Sequence, residues 1–315
     1  MMIAASNLTK TYGETTAVGG LDLDVEEGSV HGFVGPNGAG KTTTMQMIVG
    51  LISPSEGSVT IDGEPAGSVA AKSKIGYSPQ ELSLYDSMTG REYLRHMGQV
   101  AGMSRSEANE RAEELLEWLS LTDAADQEAG GYSGGMKRRL SIAQALIHEP
   151  ELLILDEPTT GLDPAGRQTI MDALESLPKE GITVFVSSHV LAELEQYIDT
   201  VTILRDGELV VTDSIDSVQE TYGGEAFAVD TDDNAAVAEL LADHGLVRSV
   251  EREDGELLVM TDQPDEFRQA LQQSLVDEGI SLLSLTEEGT LQEAFTDIID
   301  GDGDAEAADE EVGER

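Results

Sequence analysis

The sequence predicts an α/β protein with a second, smaller α+β domain at its C-terminal end. A strand over Val30–Val34 leads directly into a glycine-rich loop, and a helix pattern follows at residues 42–49. Near-continuous apolar runs at Leu152–Leu155 and at residues 183–186 are typical of buried parallel strands. Strands that alternate with helices in this way indicate an α/β core, which we expect to span residues 1–215.

Residues 216–300 follow a different pattern. Strands are predicted at 225–229, 246–250, 256–260 and 281–285, and helices at 234–242, 264–276 and 291–299. The order β-α-β-β-α-β with a last helix is that of a ferredoxin-like split βαβ unit. Gly223 and Gly224 form a plausible hinge before it. Residues 301–315 offer little apolar surface to bury, so we expect an acidic, disordered tail.

The composition is strongly acidic, with 62 Asp and Glu against 18 Lys and Arg and a formal net charge of −44. Such a surface repels phosphates and anionic lipids, so we predict no nucleic-acid partner and no direct membrane insertion. Because concentrated salt screens this self-repulsion, the composition favours a halophilic cytoplasm over a locally specialised acidic protein. No secretory leader and no run of about 18 apolar residues is visible, so we expect a cytoplasmic protein. The absence of cysteine excludes disulfides and thiol chemistry.

Residues 35–42, GPNGAGKT, fit the phosphate-loop pattern G-x-x-x-x-G-K-[ST] between a predicted strand and a predicted helix. The glycines let backbone N–H groups turn toward phosphates, and the helix N-terminus adds positive potential. We expect Lys41, as an exposed loop lysine, to reach the β and γ phosphates and Thr42 to hold Mg²⁺. Thr43 could contact the α phosphate or simply cap the helix. The predicted nucleotide-binding residues are Gly35, Asn37, Gly38, Gly40, Lys41, Thr42 and Thr43.

The apolar strand Leu152–Leu155 ends in two acids, Asp156 and Glu157. Because paired carboxylates are costly to bury, we expect both at the exposed carboxyl end of the strand. There Asp156 would orient the Mg²⁺ shell and Glu157 would polarise a water. Such a pair is also typical of a solvated strand end. The phosphate loop upstream favours the catalytic interpretation.

Further short motifs follow in order: KTYG at 10–13, YSPQ at 77–80, YSGGMKRR at 132–139, GLD at 161–163 and SSH at 187–189. With the phosphate loop and the acid pair, they make residues 3 to about 215 resemble the ATP-binding subunit of an ABC transporter. The resemblance implies a P-loop NTPase core with the ABC helical subdomain, and ATP and Mg²⁺ as ligands. YSGGM departs from the family signature LSGGQ at Tyr132 and Met136, but it keeps Ser133 and both glycines.

The resemblance also implies roles for residues that contact the nucleotide bound by the same chain. Tyr12 would stack on adenine, His189 would contact the γ phosphate, and Gln80 would sense the γ phosphate and the attacking water and help to hold Mg²⁺. From the residues alone, Gln80 would be interpreted only as a loop residue. Of the five histidines, only His189 has a motif context.

The signature itself is predicted to begin a helix at Ser133, whose N-terminus, with Gly134 and Gly135, faces an anion. The resemblance implies that this anion is ATP bound to the opposite subunit of a two-fold homodimer. It also assigns inter-subunit contacts to Asp163, which is otherwise a turn former before a proline. The basic run at 137–139 would favour the ATP-bearing face, pair with carboxylates, or lie on the surface.

We therefore predict an ATPase that drives transport through a separate membrane-spanning permease. The GLDP and LYDSMTGRE segments and the ending GTLQEAFTDI resemble exporters of the drug-resistance and antibiotic-efflux group. The alternative is a soluble ABC ATPase of translation or DNA repair. A single phosphate loop and the short stretch between Lys41 and Asp156 argue against it. A P-loop kinase or GTPase would not explain the SGG turn or the late histidine.

Overall fold

The computed structural model describes residues 1–222, 225–242, 244–253, 256–261 and 263–287 of the 315-residue chain. It divides into two units, one from Met1 to Ile215 and one from Asp216 onward. The predicted hinge at Gly223 and Gly224, the predicted helix at 291–299 and the predicted tail at 301–315 lie outside the described residues.

The first unit alternates strands with helices as predicted. Its strands are β1 (Ile3–Tyr12), β2 (Thr15–Val25), β3 (Val30–Val34), β4 (Glu56–Ile61), β5 (Glu64–Pro65), β6 (Ile75–Ser78), β7 (Leu152–Leu155), β8 (Thr183–Ser188), β9 (Thr200–Arg205) and β10 (Glu208–Ser214). Its helices are α1 (Lys41–Val49), α2 (Val69–Lys74), α3 (Gly90–Val100), α4 (Arg105–Trp118), α5 (Gly134–Leu146) and α6 (Pro164–Ser176), and α7 (Ile215–Tyr222) follows.

Two sheets organise this unit. One is antiparallel with strand order β2-β1-β4-β5, and the other has the order β10-β9-β3-β8-β7-β6. In the second sheet β9, β3, β8, β7 and β6 run parallel, and only β10 is antiparallel. Every residue of β3, β7 and β8 is buried, which explains their near-continuous apolar sequences. One hydrophobic cluster of buried residues joins the two sheets around α1 and includes Phe33, Met45 and Phe185.

Helix α4 shows how local sequence sets an element's bounds. Its N-cap Ser104 accepts a hydrogen bond from the Glu107 backbone N–H, and the Glu107 carboxylate accepts one from the Ser104 backbone N–H. This reciprocal pair satisfies two N–H groups that a helix start leaves without partners. Ala108, Ala112 and Leu115 then turn to the interior at helical spacing. Among the described residues, no helix is long and apolar enough to cross a membrane.

The second unit contains β11 (Glu225–Thr231), α8 (Asn234–Ala242), β12 (Ser249–Glu253), β13 (Glu256–Thr261), α9 (Pro264–Glu278) and β14 (Leu282–Glu287). The sheet order is β12-β13-β11-β14, and the neighbouring strands are antiparallel. This is the strand arrangement of a split βαβ unit, as the sequence predicts. Strand β12 begins three residues later than predicted, because Val247 donates to the His244 carbonyl in a turn before it.

Candidate nucleotide-binding site

The phosphate loop lies between β3 and α1 and opens onto a cavity of about 200 Å³. Gly38 and Gly40 have φ values of 88° and 97°, in a backbone region that residues other than glycine rarely adopt. At Gly40 a Cβ atom would also lie 2.5 Å from the Ala17 carbonyl oxygen. The cavity is lined by Ala17, Pro36, Asn37, Gly38, Gly40, Lys41, Thr42, Thr43, Gln80 and Glu157.

Lys41 is buried, with a relative exposure of 6%, so the expectation of an exposed loop lysine is wrong. Its ammonium donates to the carbonyl oxygens of Gly35 at 2.5 Å and Pro36 at 3.2 Å, and it lies 3.2 Å from Glu157 Oε1. The ammonium can be buried because each of its N–H groups faces an oxygen. In this conformation Lys41 contacts the protein's own oxygens at the wall of the cavity.

Asp156 and Glu157 are also buried, at 1% and 3% exposure, and not exposed as expected. Ser187, at the end of β8, compensates for part of the cost. Its hydroxyl donates to Asp156 Oδ1 at 2.8 Å and accepts from the Glu157 backbone N–H at 2.9 Å. Glu157 also accepts from His189 Nδ1 at 2.7 Å and from the Thr160 hydroxyl at 3.0 Å. Partners at residue 160 and at residues 187–189 therefore allow both carboxylates to lie inside the protein.

The pKa values of the two acids are shifted in opposite directions. Burial raises the pKa of Asp156 above its ordinary value, although the Ser187 and Thr42 hydroxyls oppose the rise. Burial also acts to raise the pKa of Glu157, but the His189 hydrogen bond and the charge of Lys41 outweigh it. The pKa of Glu157 therefore lies below its ordinary value, and this carboxylate is ionised at neutral pH.

The Asp156 Oδ2 atom suits a metal ligand. It is buried without a hydrogen-bond partner in the described part of the chain. No group of three or more His, Cys, Asp or Glu residues there could hold a metal ion, so this is not a cage built from protein side chains alone. Mg²⁺ is commonly bound by one or two carboxylates together with substrate phosphates. A free carboxylate oxygen near Thr42, beside a phosphate loop, fits that pattern.

The signature residues line a second cavity, of about 470 Å³, and share no lining residue with the first. Ser133 is the N-cap of α5, and its hydroxyl accepts from the Met136 backbone N–H at 3.3 Å. Asp163 caps α6 by accepting from the Gly166 backbone N–H at 3.0 Å. Gly134 and Gly135 also line this cavity. The structure thus places the signature residues and the phosphate-loop residues in two separate groups.

Comparison with known proteins gives the family. Residues 18–160 match the family described as ABC transporter. The chain is 41% identical over 226 residues to the linearmycin resistance ATP-binding protein LnrL of Bacillus subtilis, which covers 71% of this chain and 73% of that protein. It is 36% identical over 305 residues to the bacitracin transport ATP-binding protein BcrA of Bacillus licheniformis, covering 95% and 98%. The chain belongs to the ATP-binding subunits of ABC transporters.

Solved structures agree with this assignment. A dimeric, post-hydrolysis structure of the ATP-binding cassette MJ0796 with ADP and Pi has 30% sequence identity and a TM-score of 0.63. The match covers 68% of this chain and 99% of that chain. These structures confirm the P-loop NTPase fold that the sequence predicts. They also confirm the predicted ATPase activity for the family of this ABC subunit.

Tyr12 and Ala17 differ in their position relative to the phosphate-loop cavity. Tyr12, at the end of β1, is 51% exposed and does not line the cavity of the phosphate loop. The Lys10 ammonium lies 5.2 Å from the centroid of its ring. Ala17, which the sequence analysis missed, does line the cavity, and no motif covers it. It comes from β2 in the other sheet, so only the fold could bring it here.

The basic run after the signature is not one surface patch. Lys137 lies 3.5 Å from Asp86, which is the predicted pairing with a carboxylate. Arg139 donates to the carbonyl oxygens of Leu119 and Ser120. Arg138, at 6% exposure, is buried, so a surface role for it is wrong.

Proposed function

We propose that this chain is the ATP-hydrolysing subunit of an ABC exporter. The observation that carries the proposal is the convergence of Lys41, Thr42, Gln80 and Glu157 on one cavity at the phosphate loop. They come from α1, from the segment after β6 and from the end of β7. Phosphoryl transfer depends mainly on positioning and charge neutralisation, and this cavity supplies both.

The phosphate loop would hold the ATP phosphates. Gly38 and Gly40 expose backbone N–H groups there because of their positive φ values. Lys41 would exchange its contacts with the Gly35 and Pro36 carbonyls for phosphate oxygens. Tyr12 would reach adenine from outside the cavity, and Asn37 and Thr43 would contact phosphate from its wall. Thr42, Gln80 and Asp156 would hold Mg²⁺, which supplies charge neutralisation when bound.

Glu157 is the residue that we propose as the general base. It lies on the cavity wall, is ionised, and is oriented by hydrogen bonds from His189 and Thr160. A positioned base of this kind typically contributes about 10²–10⁴ in rate. His189 would hold the carboxylate in place through Nδ1, with its other ring nitrogen available to the γ phosphate.

The separation of the two cavities supports a two-fold dimer. Within one chain, Ser133, Gly134, Gly135 and Asp163 line a cavity that the phosphate loop does not reach. A partner chain would bring its signature to this chain's ATP and receive this chain's signature in return. Dimeric cassettes of this fold have been solved. A separate permease would provide the transport path, with this chain at the inner face of the membrane.

The direction of transport comes from the relatives. One matched protein is named for linearmycin resistance and another for bacitracin transport. We extend from these names to export in the drug-resistance group, and not to a particular substrate. The net charge of −44 supports a halophilic cytoplasm as the setting. None of the described residues of the domain that begins at Asp216 lines either cavity, and we assign to this domain regulation or permease assembly.

The decisive experiment is Glu157→Gln in the full chain, assayed in molar salt. The amide keeps the size of the side chain but cannot accept a proton. We expect ATP and Mg²⁺ binding to persist while hydrolysis falls by about two to four orders of magnitude. Glu193→Gln is a matched control, because Glu193 bonds Thr159 and Arg167 and lines neither cavity. Hydrolysis at the unsubstituted rate in Glu157→Gln would show that Glu157 is not the base.

A further inference from the structure

The segment that carries Gln80 is held in place by the signature helix α5. Arg138 on α5 donates from Nη1 to the Pro79 carbonyl oxygen at 2.7 Å and from Nη2 to the Gln80 carbonyl oxygen at 2.9 Å. A planar guanidinium can bind two consecutive carbonyls at once, whereas an ammonium is a single point donor. The backbone of Gln80 is therefore fixed by one buried side chain.

A second contact fastens the same helix to the strand before Gln80. Ser141 lies one turn after Arg138 on α5, and its hydroxyl is 2.8 Å from the Ser78 hydroxyl at the end of β6. Both serines are buried. Because side chains three positions apart share one face of a helix, Arg138 and Ser141 act along one line of contact. Only the Arg138 contact reaches Gln80.

The charge of Arg138 also belongs to the site. Burial lowers the pKa of the guanidinium, while Asp156 and Glu157 raise it and oppose that loss. A buried cation without partners would be very costly, so the two carbonyls and the two acids together explain how it is tolerated. Removing the cation would leave both carbonyl oxygens without a donor.

Helix α5 connects the two cavities. Its N-cap Ser133 lines the signature cavity, and Arg138, five positions later, holds a residue of the phosphate cavity. At 1.5 Å per residue these positions are only about 7–8 Å apart along a rigid helix. A shift at the Ser133 end of α5 therefore displaces the Gln80 carbonyl directly.

We propose that Arg138 is a positioning residue that sets Gln80 against the phosphate cavity and couples it to the signature end of α5. This rests on the proposed function, in which Ser133 contacts the ATP of a partner chain. Contact at the signature then adjusts the same chain's own Gln80. The two ATP sites of the dimer communicate through this helix.

The test is a double-mutant cycle on the full chain, with MgATP in molar salt. Arg138→Lys keeps the charge and loses the two-carbonyl contact. Since a misplacement of about 1 Å can cost 10²-fold in rate, we expect kcat to fall by about 10- to 100-fold. The dissociation constant of ATP should change by less than about threefold, because the phosphate loop is untouched. Gln80→Ala should also lower kcat, and the double variant should be no slower than the slower single variant.

Ser141→Ala is the matched control, because it loosens α5 from β6 without touching Gln80. Its effect should multiply with that of Gln80→Ala. The unsubstituted dimer should show a sigmoidal dependence on ATP, with a Hill coefficient that falls toward 1 in Arg138→Lys. A double variant whose loss is the product of the two single losses would overturn the proposal. So would wild-type kcat in Arg138→Lys, or a hyperbolic ATP dependence in the unsubstituted dimer.

Arg138→Gln, whose side chain keeps a neutral hydrogen-bond donor, is the second variant. In combination with Gln80→Ala we expect the same result as for Arg138→Lys, a double variant no slower than the slower single variant. Circular dichroism should show both variants folded, and unfolding of both would overturn a positioning role in favour of a purely structural one. Hydrolysis by the unsubstituted chain and its loss in Gln80→Ala test the proposed function. If both hold and only the cycle fails, the failure counts against Arg138 alone.

Discussion

Replacing Gly40 by alanine should destabilise the first unit much more than the same change at Gly38. Both glycines have left-handed backbones, with φ values of 97° and 88°. An L-residue in that region costs roughly 1–2 kcal/mol, and this applies at both positions. Around Gly38 nothing lies within 4 Å of the new Cβ, whereas at Gly40 the Ala17 carbonyl oxygen would be 2.5 Å away. Relieving such a clash typically costs about 1–3 kcal/mol more.

The assay is urea unfolding in molar salt without nucleotide, followed by tryptophan fluorescence. Trp118 is the single tryptophan of the chain and lies in the first unit, so its signal follows that unit. We expect Gly40→Ala to lose about 2–5 kcal/mol and Gly38→Ala about 1–2 kcal/mol. Equal unfolding midpoints for the two variants would refute the argument from the close approach of β2 to the phosphate loop.

Two other changes test the dimer and the core. Ser133→Arg should leave ATP binding by one chain intact but abolish ATP-dependent dimerisation in size-exclusion chromatography; a tight dimer would contradict the contact across subunits. His31 is buried between Thr200 and Thr202, and burial lowers its pKa to about 3. Below its ordinary pKa of 6.5 only the unfolded chain takes up the proton, so the free energy of unfolding should fall by about 1.3 kcal/mol between pH 7 and pH 5.5. His31→Gln should remove that loss in urea titrations, and parallel losses in both proteins would refute the assignment.

Secondary-structure elements that are determined by nearby residues could be predicted from the sequence. The bounds of β3 and β7 follow from apolar runs that end at a glycine-rich loop and at an acid pair. The order of the second unit follows from alternating strand and helix patterns. In each case the determinant lies within a few residues of the element that it specifies.

The predictions of side-chain exposure were wrong where contacts with distant segments of the chain determine burial. Asp156 and Glu157 were predicted to be exposed. They are buried because Ser187, on the neighbouring strand, forms hydrogen bonds with both residues, and no pattern near them in the sequence indicates this partner. Arg138 stood in a basic run, and nothing near it in sequence indicates the carbonyls of Pro79 and Gln80 as its partners. Burial of a charge depends on partners that tertiary structure supplies, so sequence patterns underestimate it.

In the Lys41–Glu157 pair, the Glu157 carboxylate occupies the ammonium for which a nucleotide phosphate would compete. If ATP binds this ammonium as proposed, it has to displace the carboxylate, so the measured affinity is the intrinsic affinity multiplied by the fraction of molecules in which the pair is open. If Lys41 turns to the phosphates as proposed, Glu157 would lose one of the groups that lower its pKa and would gain an anionic neighbour. We therefore expect the basicity of Glu157 to rise when ATP binds. Proton uptake on nucleotide binding, detected by calorimetry in buffers of different ionisation enthalpy, would be the signature of a base that strengthens only in the loaded site.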